Sequence, residues 1–402
     1  RRALFRFRES QRQPPNIVVV AHGDIVPPLC AGVLDAESCL ERRAGRGIVG
    51  DGRSLHSSMK AIVYASTGPS NVLSLVERGV AQPGPGEVRV KVVVSGVNPT
   101  DWKARAGGGA GGSLDFDEVV PNQDGAGVVD AIGEGVHGLA VGDRVWLYLA
   151  AHQRPTGTAQ EFTVLPVDRV VRLPEGVGFD VAASLGVPAM TAHRALTVHE
   201  LGPARLTPGV LAGRVVLVHG GAGAVGHAAI QLAVWAGATV ITSVSSDDKE
   251  TLARAAGAHH VVRYPDASLA ERIQELAPNG VDHIVEVSPT QNAALDVEVL
   301  ANHGSIAYYA NNNGDAFSVP IIPSFAKNVR WQGLLLYTVG PDALRAAAED
   351  VTAALVDGAL PVGEPAGLPI TWFPLEQTAA AHDAVEGGAV GKVLIRVADD
   401  EA

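Results

Sequence analysis

Cysteine is almost absent from this chain: only Cys30 and Cys39 carry thiols in 402 residues, and both precede the first methionine, Met59. That excludes a disulfide framework and a zinc lobe built from several thiolates, and it suits a reducing cytoplasm. Positive charge is also short. With 31 basic against 43 acidic residues the formal charge is −12, which repels phosphate backbones and anionic membrane surfaces, so neither nucleic acid nor a membrane is an expected partner. Charged residues make up only 18% and hydrophobic ones 47%, too apolar a balance for a disordered chain. Against a soft prior of about 150 residues per domain, the length predicts two or three domains.

The charge deficit is uneven. Residues 1–58 hold nine Arg, no Lys and six acids, so the remainder carries 22 basic and 37 acidic groups and is more acidic than the whole. The first segment has no sustained helical or strand period, and its apolar patch Ile17–Val20 is too short for a signal-peptide core. It is expected to be a poorly ordered, Arg-rich extension.

From Val215 to Ser246 there is no charged residue at all, a stretch longer than the ~20 residues a spanning helix needs. Glycines at 220, 221, 223, 226 and 237 divide it into an apolar run, a turn, an amphipathic stretch and a second apolar run: strand, loop, helix, strand. The two runs read as parallel strands buried on both faces. Downstream the alternation continues, with helices at Lys249–Ala256, Ser268–Ala277 and Asn292–Ala301 and strands at Val261–Val262, Val281–Val287, Ser305–Ala310 and Trp331–Tyr337. This predicts an α/β chain whose centre is a doubly wound parallel sheet. Residues 59–170, rich in valine and glycine, predict an all-β region with strands at Val88–Val94, Gly127–Ile132 and Arg144–Leu149, to which a strand at Lys392–Val397 returns.

Inside the strand-loop-helix unit, Gly221-Ala222-Gly223-Ala224-Val225-Gly226 fits G-x-G-x-x-G. In that context the glycines permit a tight turn, close backbone approach to a pyrophosphate and close helix-strand packing. Ser245 stands where an NAD site would place an acid, with Ser246 beside it and Lys249 one turn on. Two hydroxyls and an ammonium suit a 2′-phosphate and predict NADPH, although Asp247 and Asp248 follow immediately.

The run Val216–Gly226, Gln231-Leu232-Ala233, Gly257-Ala258-His259, Gly96-Val97-Asn98-Pro99, Gly142-Asp143-Arg144-Val145 and Gly391-Lys392-Val393-Leu394 together resemble the zeta-crystallin type NADPH:quinone oxidoreductases. These form a zinc-independent branch of the medium-chain dehydrogenase/reductase superfamily. The resemblance implies a GroES-like β-rich catalytic domain, residues 59–183 with 340–402, around a Rossmann nucleotide-binding domain, residues 184–339. At the positions where zinc-dependent members hold their catalytic metal this chain has Asn98, Gln123 and Val187, which supply no thiolate, imidazole or carboxylate, so no metal is expected.

The expected reaction is transfer of hydride from NADPH to a quinone or other conjugated carbonyl. Asn98 is the first candidate donor to the carbonyl oxygen. Lys103 replaces the tyrosine common in the family, and Trp102 is placed to stack on a flat acceptor. The resemblance adds Thr191, Tyr309 and Asn311 near the nicotinamide, Tyr264 at the adenosine end, and Lys392 as a further cofactor contact, beside the loop residues Gly221, Gly223, Ala224, Val225 and Gly226. It also implies a homodimer or homotetramer. One rival reading is an enoyl or alkenal reductase, reducing a 2-alkenal or enoyl thioester. Another, of a different class, is a non-catalytic NADPH-binding or RNA-binding crystallin-like protein.

Overall fold

The computed structural model describes residues 58–108, 114–264, 268–312 and 314–399; the expectation for residues 1–58 lies outside these except at Ser58. The described residues open with β1 (Ser58–Val63), β2 (Ser74–Gly79) and β3 (Glu87–Val97), then α1 (Pro99–Arg105), β4 (Asp124–Ile132), β5 (Arg144–Leu147), β6 (Phe162–Pro166) and β7 (Val170–Arg172). Helices α2 (Phe179–Ala182) and α3 (Gly186–Thr197) lead into β8 (Val215–His219), α4 (Ala224–Trp235), β9 (Thr239–Val244), α5 (Asp247–Ala255) and β10 (His260–Arg263). Next come α6 (Leu269–Leu276), β11 (Val281–Glu286), α7 (Pro289–Val299), β12 (Leu300–Tyr308), α8 (Ile321–Ala326) and β13 (Arg330–Gly333). The chain ends with α9 (Pro341–Val356), β14 (Ile370–Pro374), α10 (Thr378–Glu386) and β15 (Lys392–Arg396).

Strands β8 to β13 form one six-stranded sheet in the order β10-β9-β8-β11-β12-β13, and every pairing in it is parallel. The uncharged run is thus strand, helix, strand, and among the described residues no helix is long and apolar enough to cross a membrane. In α4 the residues from Gly226 to Ala233 are all buried, which is why its sequence is apolar on more than one face. The second sheet is seven-stranded and mostly antiparallel, and β15 joins it against β3, pairing Val393 with Val97.

Two expected elements differ. The strand expected at Trp331–Tyr337 stops at Gly333, and Leu336–Thr338 is a single 3₁₀ turn packed against α3. The edge chain leaves the sheet there to reach α1, where the Tyr337 hydroxyl donates to Thr100 Oγ1 at 2.9 Å. The helix expected at Asn292–Ala301 begins earlier, at Pro289, whose fixed φ suits a first helical turn, and hands over to β12 at Leu300.

Asp350 fastens α9 to α3 and to the segment before β8. Its buried carboxylate accepts from His193 Nε2 at 2.7 Å, Arg205 Nε at 2.9 Å and the Leu206 amide at 2.8 Å. Burial alone would raise its pKa, but these donors hold it at about 2. A depressed carboxyl pKa contributes stability that is present above the unfolded value near 3.8 and lost as pH falls through 2, about 2 kcal/mol in all. Asp350→Asn is therefore expected to cost about 2–4 kcal/mol at pH 7 in denaturant titrations, with the difference from the parent shrinking toward pH 2; a pH-independent difference would contradict this account.

Candidate functional site

The glycine loop follows β8 directly. Gly220 has φ +71°, a conformation that favours glycine, and turns the chain away from the sheet. A Cβ at Gly221 would lie 2.2 Å from Thr242 Oγ1 and one at Gly226 would lie 2.2 Å from the Gly220 carbonyl oxygen, so both positions need glycine for internal packing. Gly223 differs. Its nearest neighbour to a Cβ is the Gly220 oxygen at 3.4 Å, so what it leaves open is space outside the fold, where a ligand's phosphates can approach. Gly223 is the N-cap of α4 with no side-chain cap, so the first-turn amides of Ala224, Val225 and Gly226 are available to an anion.

Beside the loop lies a cavity of about 180 Å³ lined by Gly220, Ala222, Gly223, Val244, Ser245, Lys249 and Tyr264, closed on another side by Gly388, Ala389 and Val390. The fold thus brings Gly223, expected from sequence at the pyrophosphate, beside Ser245, Lys249 and Tyr264, expected at the adenosine end. Lys249 Nζ donates to Ser245 Oγ at 3.0 Å, and Ser246 Oγ caps α5 by accepting from the Lys249 amide at 3.4 Å. The segment Gly388–Val390 was not anticipated; its sequence signal is the Gly387-Gly388 pair before Gly391-Lys392. Gly391 forms a parallel bridge with Gly223, so the C-terminal chain lies against the loop. A more open cavity of about 430 Å³ between α7 and residues 316–318 is lined by no titratable side chain.

Toward the other end, Thr191 is buried in α3, and Tyr309 follows β12, its amide bonded to the Glu286 carbonyl at 3.2 Å. Burial and the Glu286 charge push the Tyr309 phenol well up, so it stays neutral. Asn311 is exposed and donates to Asp315 at 3.0 Å, outside the cavity.

The antiparallel sheet contributes a buried polar network. Asn98 Nδ2 donates to Asp124 Oδ2 at 2.7 Å, and Asn98 Oδ1 accepts from Lys392 Nζ at 2.6 Å; Lys392 also donates to the Val97 carbonyl at 3.1 Å. Asn98, 2% exposed, donates one Nδ2 proton to Asp124 and accepts from Lys392 at Oδ1, so its amide also ties those two residues together. Lys392 turns its ammonium into this network, drawn by Asp124 and Asp101, and the cofactor loop is met by its neighbour Gly391. Burial lowers the Lys392 pKa against those two charges, whereas burial and Asp124 together push Asp101 up to about 8.

Trp102 and Lys103 are half-buried on α1, with Lys103 Nζ 5.9 Å from the indole ring. The sequence reading missed Tyr337, whose ring stands edge-on to His152 with centroids 5.0 Å apart while its hydroxyl holds Thr100. Because Tyr337 leaves the carboxyl edge of the parallel sheet and Thr100 belongs to α1, this bond spans the two sheets' regions.

The three positions where a zinc site would stand do not fit the metal. Asn98 Nδ2 and the Val187 amide, at 2.9 Å, both donate to Asp124, while Gln123 Oε1 accepts from the Ala151 amide at 3.1 Å. The polarity is inverted: Asn98 and Val187 donate to a carboxylate where a metal's ligands would stand, and Lys392 supplies the positive charge. Among the described residues one other cluster, His219, Glu286 and Asp296, has metal-like donors. Burial would depress His219, but the two carboxylates lift it to about 9, and its Nε2 bonds Asp296 at 2.9 Å, so the three side chains satisfy one another as a buried charged cluster.

Residues 84–175 match the alcohol dehydrogenase GroES-like domain and residues 224–353 the zinc-binding dehydrogenase domain. The chain is 30% identical to a quinone oxidoreductase of Rattus norvegicus, the match covering 84% of this chain and 97% of the relative. It is 28% identical to a 2-haloacrylate reductase of a Burkholderia species, over 84% and 98% of the two chains. Among solved structures it resembles a mycobacterial protein complexed with NADPH at 29% identity and TM-score 0.70, covering 84% of this chain and all of that one. It also resembles the quinone oxidoreductase of Pseudomonas syringae at 26% identity and TM-score 0.71.

Proposed function

The chain belongs to the quinone oxidoreductase family of the medium-chain dehydrogenase/reductase superfamily, and from that premise we propose that it is an NADPH-dependent reductase of a quinone that works without zinc. The bound cofactor supplies hydride at its nicotinamide ring. The observation that carries the reading is the inverted donor set at the zinc position, Asn98 and Val187 around Asp124 with Lys392 behind, beside an intact glycine loop. Asn98, Gln123 and Val187 offer no thiolate, imidazole or carboxylate to hold a Lewis-acidic metal for an alkoxide, which favours reduction of a conjugated acceptor over alcohol oxidation.

Gly221, Gly223 and Gly226 with the first amides of α4 hold the pyrophosphate; Ser245, Ser246, Lys249 and Tyr264 hold the adenosine end. Thr191, Tyr309 and Asn311 remain the proposed nicotinamide-side residues. On the acceptor side we assign Trp102 as a stacking surface and Lys103 as a donor to the developing oxyanion. Asn98 Nδ2 keeps a second proton beyond its bond to Asp124, so Asn98 stays the proposed donor to the carbonyl oxygen while it also holds Lys392 and Asp124 in place. The division into residues 59–183 with 340–402 and residues 184–339 is kept, supported by the return of β15 to β3.

Self-association as a homodimer or homotetramer belongs to the same proposal. It is supported by β13 at the edge of the parallel sheet and by Ile321, Ile322 and Phe325 of α8, each at least 65% exposed. The absence of cysteine after Cys39 supports a cytoplasmic setting.

An acceptor screen tests the reading. NADPH oxidation is expected with 1,4-naphthoquinone at a rate unchanged by a zinc chelator. Turnover confined to a 2-alkenal or an enoyl thioester would select the rival reductase, and chelator-sensitive activity would overturn the metal-free site.

A further inference from the structure

The adenosine end of the cavity poses an electrostatic problem. Ser245 Oγ and Lys249 Nζ, 3.0 Å apart, form a hydroxyl-ammonium pair suited to a phosphate, yet the next residues along, Asp247 and Asp248, open α5 with two exposed carboxylates. One lysine against two acids leaves the patch net negative, and a 2′-phosphate dianion would be repelled. Arg263 changes that balance. It ends β10, the strand next to β9, where it stands in register with Val244, one residue before Ser245. It directly precedes Tyr264, which lines the cavity, and its Nη1 pairs with the Asp247 carboxylate.

Both partners are open to solvent, Arg263 at 41% and Asp247 at 83%. An exposed ion pair of this kind is weak and readily exchanged. A guanidinium presents a planar fork of donors that fits a phosphate as well as a carboxylate, and a dianion is the stronger attractor. We propose that Arg263 is the residue that sets NADPH over NADH: it masks Asp247 in the free protein and turns onto the 2′-phosphate when NADPH binds. Asp247, released, faces away from the phosphate toward solvent; with NADH bound, Arg263 stays on Asp247. The proposal rests on the dinucleotide reading of the glycine loop and adds to it a residue outside the G-x-G-x-x-G pattern and outside the Ser245-Ser246-Lys249 run.

Equilibrium binding separates the two layers without any turnover. Titration calorimetry with NADPH, NADH and 2′,5′-ADP is run on the full chain and on Arg263→Ala, Arg263→Lys and Arg263→Ala/Asp247→Asn. Arg263→Ala is expected to weaken NADPH and 2′,5′-ADP by about 10- to 100-fold while NADH changes by less than about 3-fold. Arg263→Lys is expected to fall between. In the double variant the uncovered carboxylate is gone, so several-fold of the lost NADPH affinity returns. Equal weakening of NADPH and NADH, or no weakening at all, would overturn the assignment of Arg263. Absence of any recovery in the double variant would overturn the masking of Asp247. Failure of the parent chain to bind either dinucleotide would instead sink the cofactor reading itself.

Discussion

Gly226→Val is expected to abolish NADPH binding, weakening it by more than about 100-fold in calorimetry and removing reductase activity with it. A Cβ at this position would stand 2.2 Å from the Gly220 oxygen, 2.9 Å from its carbonyl carbon and 3.0 Å from Gly221 Cα, all backbone atoms of the loop itself. None is the far end of a flexible side chain, so α4 and the loop must part. Overpacking of this kind costs about 1–3 kcal/mol of stability, and it also displaces the first-turn amides from the pyrophosphate. Gly223→Ala is the control: its Cβ meets only the Gly220 oxygen, at an ordinary 3.4 Å, so the fold accepts it and any loss of affinity reports the ligand's approach. Binding by Gly226→Val at parental affinity would show that the loop is a packing turn.

The second large effect is expected from Lys392→Met. The ammonium is 2% exposed and is the positive charge attracted by the buried Asp124 and Asp101, while its own hydrogen bonds go to Asn98 Oδ1 and the Val97 carbonyl. Its loss leaves Asp124 with hydrogen bonds from Asn98 and Val187 but no counter-charge, and strips Asn98 Oδ1 of its donor. Leaving a buried carboxylate without its nearby counter-charge is expected to cost up to about 3–5 kcal/mol, because its desolvation is no longer offset. Urea titration is expected to show that drop. The double replacement Lys392→Met/Asp124→Asn, which removes both charges, is expected to recover most of it. A double variant as unstable as the single one would mean that shape, and not charge, is what Lys392 supplies.

How far the site could be read from sequence depends on how local each part is. The glycine loop was legible because its demands are set within six residues: Gly226 must be glycine because of Gly220 and Gly221, its own neighbours. The Ser245-Ser246-Lys249 run was legible because it ends one strand and opens the next helix, a single turn of chain. The partners of Asn98 were not legible, since an asparagine before Pro99 gives no sign that Asp124 and Lys392 will meet its amide. Trp331–Tyr337 reads as a strand because it is mostly apolar; the edge chain ends that strand at Gly333 and carries Tyr337 to Thr100.

The sequence by itself determined the α/β alternation, the dinucleotide loop and the lack of zinc ligands, because strand burial, turn sterics and donor chemistry are properties of residues and their near neighbours. The tertiary structure alone decided which charges meet. Lys392 and Asn98 are separated by 294 residues and touch at 2.6 Å, and Arg263 reaches back 16 residues to cover Asp247. Coulomb attraction and desolvation depend on what stands within a few ångströms in space, and that distance is fixed only once the sheets have formed and β15 has paired with β3.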